Sequence, residues 1–521
     1  MSPDLTLSEH ERTCMDFWLA LGAKAVWRVT PAKEWVQLAL QLATVEPAVM
    51  LAITAYATVQ KGVGITMHKA MEPPTARRSD VAVAMRQFSK ATSALRMYID
   101  QAINSQASLE PVLICSILFV CFELGRGKFQ NAMAHMGFAR RIIDEGMDFS
   151  GGKGQPQRLS ALSGEAMHDF GQLFHAIESG SELTGNPIGL DQDGREPQDS
   201  VPKSIPPAFK SLAEAKTHLT ALIEASGDVH KELFQLADEQ IAEQDRRHLH
   251  PSIVFCITHL MSRTIIPCPA LQAKIEELTH AYDCWTLALD AISQRSTPKH
   301  EEQQLFLAIT TLRLQHLVAS SNLRHCATPY ESTWDELSAI YEPALDLIER
   351  FLTAIPTNML HGVHGPSQPH LPYAKQESSF SLEPTVLPAL ALIAFRCRDT
   401  VVRHRALHML LTTRRREGLG YSESMAWFIS VFVDAEEQAA RQSLLRQGLL
   451  ATEDLTAEQV PESARLSVVA IYGETADSTL VVASRFRYED GGELEVRKWR
   501  GRKEPVVFEE LGTTVVRYRC P

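Results

Sequence analysis

Apolar side chains recur at every third or fourth position over most of the chain, and this period predicts amphipathic α-helices. Proline suits the first turn of a helix, so we expect one helix to end near Glu46 and the next to begin at Pro47. The run from Pro111 to Phe122 is apolar on all sides, which predicts a helix at the centre of the fold. The segments together predict a mainly α, multi-helical array of helical hairpins over residues 1–460. Long loops are expected near 148–160, 186–207 and 356–379.

The pattern changes from period 3.6 to period 2 after Arg465. Residues from Leu480 to Tyr488 alternate between two faces, and the acidic, glycine-rich stretch 489–492 is typical of a hairpin turn. A return strand follows from Leu494, and a last strand is expected near Thr514. We therefore predict a small C-terminal antiparallel β-sheet within a β-rich segment of residues 461–521.

Composition narrows the function classes. The net charge of −12 argues against DNA binding through a broad basic face. None of the nine cysteines forms the C-x2-C pair that holds zinc in clusters, so we expect buried free thiols, no metal site and no cofactor. The longest apolar run, near residues 111–122, is too short to span a bilayer. The chain is expected to be intracellular, in the nucleus or cytoplasm, without membrane attachment.

Four stretches of the chain resemble, in order, the fungal-specific regulatory domain that follows zinc binuclear clusters in transcription factors. The last is the most specific, with Val386-Leu387-Pro388-Ala389-Leu390, Cys397-Arg398-Asp399 and the run from Arg414 to Leu419. The four stretches are Trp35 to Ala57, Ile114 to Arg141, Ile205 to Ala215 and Phe380 to Leu419.

This resemblance implies a helical regulatory protein that acts in transcription, and we expect it to act in fungal secondary metabolism. Family members that read DNA carry six cysteines near the N-terminus, whereas residues 1–30 here contain only Cys14. We therefore expect no direct nucleic-acid contact by that module. The expected partner is a small apolar ligand or another protein. The oligomeric state stays open, with a dimer among the options.

Local physics explains part of the fourth stretch. Asp399 can cap a helix that begins near Thr400. The arginines at 414–416 would then complement the dipole at the end of that helix, and Gly418 would take the left-handed C-terminal cap. This interpretation is favoured over a nuclear-localisation signal.

No P-loop, GxSxG or dinucleotide-binding motif occurs, so candidate site residues come from polar or aromatic side chains on apolar helices. For any one of them, a satisfied core position is the more common explanation. The candidates for acid or base chemistry are Glu123, His135, His175 and His316. The candidates for lining a ligand pocket are Trp18, Trp27, Trp35, Trp285, Arg396 and Trp427.

Two hypotheses follow. The first is a transcription-factor-like regulator without its own DNA-binding module, which binds an apolar small molecule or a partner protein. The second is a cofactor-independent cyclase, isomerase or dehydratase on the same scaffold, which acts on a polyketide or terpenoid intermediate. A third possibility is a zinc-cluster exon upstream of the sequence given. An enclosed apolar cavity with a shifted histidine or carboxylate would favour the enzyme, and an exposed apolar patch would favour the interaction module.

Overall fold

The protein is mainly α-helical and ends in a small antiparallel sheet, as its sequence pattern predicts. Of the predicted loops, the one near 148–160 lies outside the described residues, and only 205–207 and Ser379 of the other two lie within them. No described helix is both long and apolar enough to cross a membrane. The computed structural model describes residues 9–19, 33–68, 74–105, 108–126, 131–132, 134–139, 205–241, 251–293, 299–354, 379–381, 385–418, 420–450, 454–473, 478–487, 493–503 and 506–517.

The first group of helices packs around the apolar run that the sequence places at the centre. Every residue from Glu110 to Leu124 is buried, and Trp18 meets Tyr56 edge to face with ring centroids 5.6 Å apart. Pro47 opens its helix as predicted. The helices are α1 (Glu9–Phe17), α2 (Lys33–Val45), α3 (Pro47–His68), α4 (Pro74–Ser105) and α5 (Glu110–Gly125).

A second group shares a core built on Tyr282, Trp285 and Leu312. Ser211 caps its first helix by accepting from the backbone N–H of Glu214, and the Glu214 carboxylate reaches back to the N–H of Lys210. The helices are α6 (Leu212–Glu239), α7 (Pro251–Thr264), α8 (Pro269–Ser293) and α9 (Lys299–Arg324).

The third group packs around the apolar helix Leu387–Arg396, eight of whose ten residues are buried. It shares α9 with the second group. Its elements are a 3-10 helix (Glu331–Leu337), α10 (Ser338–Ala354), β1 (Ser379–Ser381), α11 (Leu387–Arg396), α12 (Thr400–Thr413), β2 (Arg415–Glu417), β3 (Gly420–Tyr421) and α13 (Ser422–Arg446). Strand β1 runs parallel to β2, and β2 runs antiparallel to β3, in a small sheet that the helical pattern did not predict.

The end of α12 corrects one prediction. Asp399 does cap the helix, through a bond from the N–H of Val402. The left-handed C-terminal cap, however, is Arg414 with φ 46°, while Gly418 uses its φ of 51° at the turn between β2 and β3. Arg415 is buried against Glu417 instead of facing the helix dipole, because β2 pairs into the small sheet.

The C-terminal segment forms a four-stranded antiparallel meander in the order β4 (Val468–Gly473), β5 (Ser478–Arg487), β6 (Glu493–Lys503) and β7 (Val506–Arg517). Leu480 pairs with Arg500, and a β-bulge interrupts the β6–β7 register at Lys498/Trp499. Helix α7 packs against β4 and β5 and so joins the sheet to the helical body.

Arg414→Gly should stabilise the protein by about 0.5–1 kcal/mol, because glycine adopts a left-handed backbone without the steric cost that arginine bears. The ion pair that it removes is long, at 3.7 Å to Glu423, and lies at the surface. Urea unfolding followed by circular dichroism measures the change. Arg446→Gly, at the last residue of α13, is the control and should destabilise. A loss of stability in the Arg414 variant would contradict the explanation.

Candidate functional site

A groove of about 440 Å³ lies between α8, α9 and α10 and opens to solvent. This volume is within the range of small-molecule sites, roughly 300–1,000 Å³. Apolar side chains make up most of its walls, with four polar ones among them. The lining residues are Trp285, Thr286 and Asp290 of α8, Arg313, Leu314, His316 and Leu317 of α9, and Ile340, Ala344 and Leu347 of α10.

Helical spacing places these side chains on common faces. Ile340, Ala344 and Leu347 are separated by four and three residues, so they lie along one side of α10. The short side chain of Ala344 limits how far α10 fills the space at its middle. Asp290 and Arg313 form an ion pair of 2.8 Å between α8 and α9, and both side chains are nearly half exposed.

His316 is the most constrained polar residue of the groove. Its ring stacks on that of Trp285, with centroids 5.1 Å apart and an angle of 14° between the planes. Its Nε2 lies 3.0 Å from the carbonyl oxygen of Tyr282 and 3.1 Å from Oγ1 of Thr286. A carbonyl oxygen only accepts, so Nε2 carries the proton and Nδ1 is the unprotonated nitrogen.

Burial lowers the pKa of His316 to about 4, although its bond to the Tyr282 carbonyl acts in the opposite direction. The ring is therefore neutral at cellular pH. Tyr282 extends this polar contact further into the helical core, because its hydroxyl lies 3.1 Å from Oγ of Ser226. Burial raises the pKa of Tyr282. His230 contacts the Ser226 carbonyl through Nδ1 at 2.7 Å, and burial lowers its pKa as well.

The structure brings Trp285 and His316 together and places Glu123 and His135 in the first group of helices. Buried Glu123 accepts from Arg126 at 2.9 Å and from Asn131 at 3.3 Å. Burial lowers the pKa of His135, whose ring lies 5.3 Å from that of Phe119, while the charge of Glu123 raises it. This pair shares no lining residue with the groove.

The other sequence candidates are dispersed. Trp18 is buried in the first core, and Trp427 is partly buried on α13. Trp27 and His175 lie outside the described residues, as does the side chain of Trp35, whose backbone belongs to α2. Among the residues that the structure describes, no three His, Cys, Asp or Glu side chains are grouped to hold a metal ion.

Arg396 belongs to a buried cluster of charges, called here the charge cluster, and its guanidinium also lies over the ring of Trp334 at 4.4 Å. The cluster contains four arginines and two carboxylates from four separate stretches of the chain, at 263, 331, 396–403 and 436. Its members are Arg263, Glu331, Arg396, Arg398, Arg403 and Glu436.

Glu331 is the centre of the charge cluster. Its fully buried carboxylate accepts from Arg263, from Arg396 at 2.5 Å and from Arg398 at 3.1 Å. Burial alone would raise the pKa of Glu331, but the three guanidiniums outweigh it and hold the pKa far below its usual range. Arg398 then bridges to Glu436 at 3.0 Å, and Glu436 also binds Arg403.

The charge cluster also fixes the segment that leads into the C-terminal sheet. The N–H of Leu466 donates to Glu436 at 2.6 Å, two residues before β4 begins. Glu462 accepts from the N–H groups of Glu331 and Ser332 at 2.7 and 2.8 Å. Arg465 forms a two-pronged pair with Asp335 at 2.8 and 2.7 Å.

Sequence reasoning missed most of these residues. One usable signal was a charge within an otherwise apolar helix, as at Arg263 near the end of α7. The ion-pair partner of such a charge could not be predicted from the sequence, because Arg263 and Glu331 are separated by 68 residues. The polar groove residues Thr286, Asp290 and Arg313 gave no distinguishing signal.

Comparison with known proteins gives one informative similarity. The chain is 21% identical, over 90% of its length and 79% of the relative's, to the aspercryptin biosynthesis cluster-specific transcription regulator of Emericella nidulans. No family model matches the chain, and no solved structure matches it. The chain is thus similar, across almost all its residues, to a regulator of transcription.

Glu331→Gln should lower the free energy of unfolding by about 3–5 kcal/mol, because it leaves three buried guanidiniums without their shared charge. Chemical denaturation monitored by circular dichroism measures the loss. Asp290→Asn breaks the exposed pair with Arg313 and serves as the control, with an expected loss below about 1 kcal/mol. Equal, small losses in the two variants would show that the charge cluster does not stabilise the fold.

Stability should fall as the pH drops from about 6.5 towards 4. The unfolded chain takes up a proton at His316 near its ordinary pKa of about 6.5, whereas the folded chain does so only near the lowered pKa of about 4. The contribution of His316 is on the order of 3 kcal/mol over this window. Urea unfolding at several pH values should give a shallower pH dependence for His316→Asn than for the unchanged protein. Parallel curves would refute a His316 imidazole that stays neutral in the folded protein down to about pH 4.

Proposed function

We propose that this chain regulates transcription of a fungal biosynthetic gene cluster and responds to a small apolar molecule bound in the groove. The similarity to a cluster-specific transcription regulator over 90% of the chain is the observation that carries the proposal. It extends through the helices that form the groove and through the charge cluster. The proposal assigns to this protein the regulatory act and the metabolic context that the relative's name states.

The groove supports the ligand part of the proposal. Its apolar residues from three helices surround one neutral histidine, which suits an apolar ligand with few polar groups. Helix α10 continues directly from the 3-10 helix that starts at Glu331. A ligand against Ile340 or Ala344 would therefore touch an element that the charge cluster holds in place.

Under this proposal, a zinc-binding cysteine cluster within this sequence does not make the DNA contact. The nine cysteines include no pair at the two-residue spacing of zinc clusters, and the net charge is −12. The regulator would act on DNA through a partner protein or through a segment that is not part of the sequence given.

A second candidate function is an isomerase or cyclase that uses His316 as its base. The observation in its favour is a neutral imidazole with an unprotonated nitrogen in a groove of small-molecule size. Against it stands the exposure of the groove, since Ile340 on one wall is 43% exposed and water is not excluded.

Deletion of the gene in the source organism separates the two functions. We expect transcripts of the neighbouring biosynthetic genes to fall to background, because a regulator acts before any enzyme of the pathway. Quantitative transcript analysis and metabolite profiling of the same cultures are the measurements. Restoring the unchanged gene should restore the transcripts, and restoring His316→Leu should do so only in part.

Leu411→Asn is the matched control, since Leu411 is exposed on α12 and away from the groove. It should complement the deletion fully. Unchanged transcripts together with accumulation of one intermediate would overturn the regulator and support the enzyme.

A further inference from the structure

His316 has one nitrogen that the protein uses and one that it leaves available. Nε2 is bound by the Tyr282 carbonyl and by Thr286. Nδ1 makes no hydrogen bond to any residue that the structure describes, and the side chain is only partly buried at the wall of the groove. A neutral imidazole with its proton on Nε2 offers a lone pair at Nδ1, which can only accept.

The position of this acceptor is well fixed. The stack on Trp285 sets the plane of the imidazole, and the two contacts of Nε2 set its rotation within that plane. Tyr282 adds an edge contact with its ring centroid 5.3 Å away. An acceptor held in this way loses little entropy when a ligand binds, so its hydrogen bond can discriminate between ligands.

The remaining polar groups of the groove do not favour a charged ligand. Asp290 and Arg313 neutralise each other at 2.8 Å, and Thr286 already lies within hydrogen-bond distance of His316 and the Tyr282 carbonyl. The other lining residues are apolar apart from His316 itself.

We propose that the groove binds a neutral, mainly apolar small molecule whose hydroxyl group donates a hydrogen bond to Nδ1 of His316. This inference rests on the proposed function, because it names the class of ligand to which the regulator responds. A methyl ether of the same molecule lacks the donor and leaves the acceptor unsatisfied. A carboxylate lacks the donor as well and meets the lone pair of Nδ1 directly.

A carboxylate would bind well only if Nδ1 first gained a proton. With a pKa of about 4, the protonated ring is roughly a thousandfold less populated than the neutral ring at pH 7, and the affinity of an anion falls by the same factor. The same reasoning favours the hydroxyl, because the neutral ring is the form already present.

Three probes of one shape test the inference on the full chain: β-naphthol, its methyl ether and β-naphthoate. Isothermal titration calorimetry at pH 7 gives each dissociation constant. We expect β-naphthol to bind about fivefold to tenfold more tightly than the ether, as one neutral hydrogen bond provides, and β-naphthoate to bind most weakly.

Two substitutions locate the effect. His316→Asn can keep an acceptor near the position of Nδ1 and should keep a preference for β-naphthol, whereas His316→Leu should remove the preference without weakening the ether. Leu411→Asn, outside the groove, should match the unchanged protein. Thermal melting checks that each variant folds. If the leucine variant does not fold, the binding of the three probes to the unchanged protein and to the asparagine variant still tests the inference.

Equal binding of β-naphthol and its ether, or a preference that survives in His316→Leu, would overturn the hydroxyl inference and leave an apolar ligand site intact. Tightest binding of β-naphthoate would overturn it in favour of an anionic ligand. Failure of all three probes at millimolar concentration would overturn the ligand part of the proposed function too. The transcript experiment on the deletion strain tests the regulatory part separately.

Discussion

The buried carboxylate of Glu331 accepts hydrogen bonds from three guanidinium groups. Helices from the C-terminal half of the protein meet at this carboxylate. A buried carboxylate is costly unless cations and hydrogen bonds replace its water. The three arginines come from the end of α7, the end of α11 and the loop before α12. These elements must therefore meet at Glu331 for its carboxylate to gain all three partners.

The surplus of guanidiniums over carboxylates explains why main-chain carbonyls also point into the charge cluster. Arg403 donates to the carbonyls of Ala394 and Phe395 at 2.9 and 3.1 Å, and Arg398 donates to that of Arg396 at 2.8 Å. These carbonyls lie at the C-terminal end of α11, where the last carbonyl groups have no N–H donor within the helix. The same contacts satisfy the helix end and the buried charge.

The groove and the C-terminal sheet are both tied to the charge cluster. Helix α10 forms one wall of the groove and follows directly from the 3-10 helix that begins at Glu331. Leu466, fixed to Glu436, leads into β4. Burial lowers the pKa of His259, a partly exposed residue of α7, to about 3, and the charges of Arg263 and Arg396 act in the same direction. A ligand site and an appended sheet thus share one framework of buried polar contacts.

The sequence by itself determined the helices, the cap at Asp399, the start at Pro47 and the C-terminal strands, because these depend on neighbours within a few residues. It also identified Trp285 and His316 as unusual positions, but not that they stack. Only the tertiary structure decided the charge cluster, the groove and the pairing of β1 with β2. Arg396 and Glu331 are 65 residues apart, and nothing local to either residue specifies the other. Such contacts form only when the helices pack and bring a buried charge next to an opposite one. The local period of apolar residues carries no information about which distant residues meet.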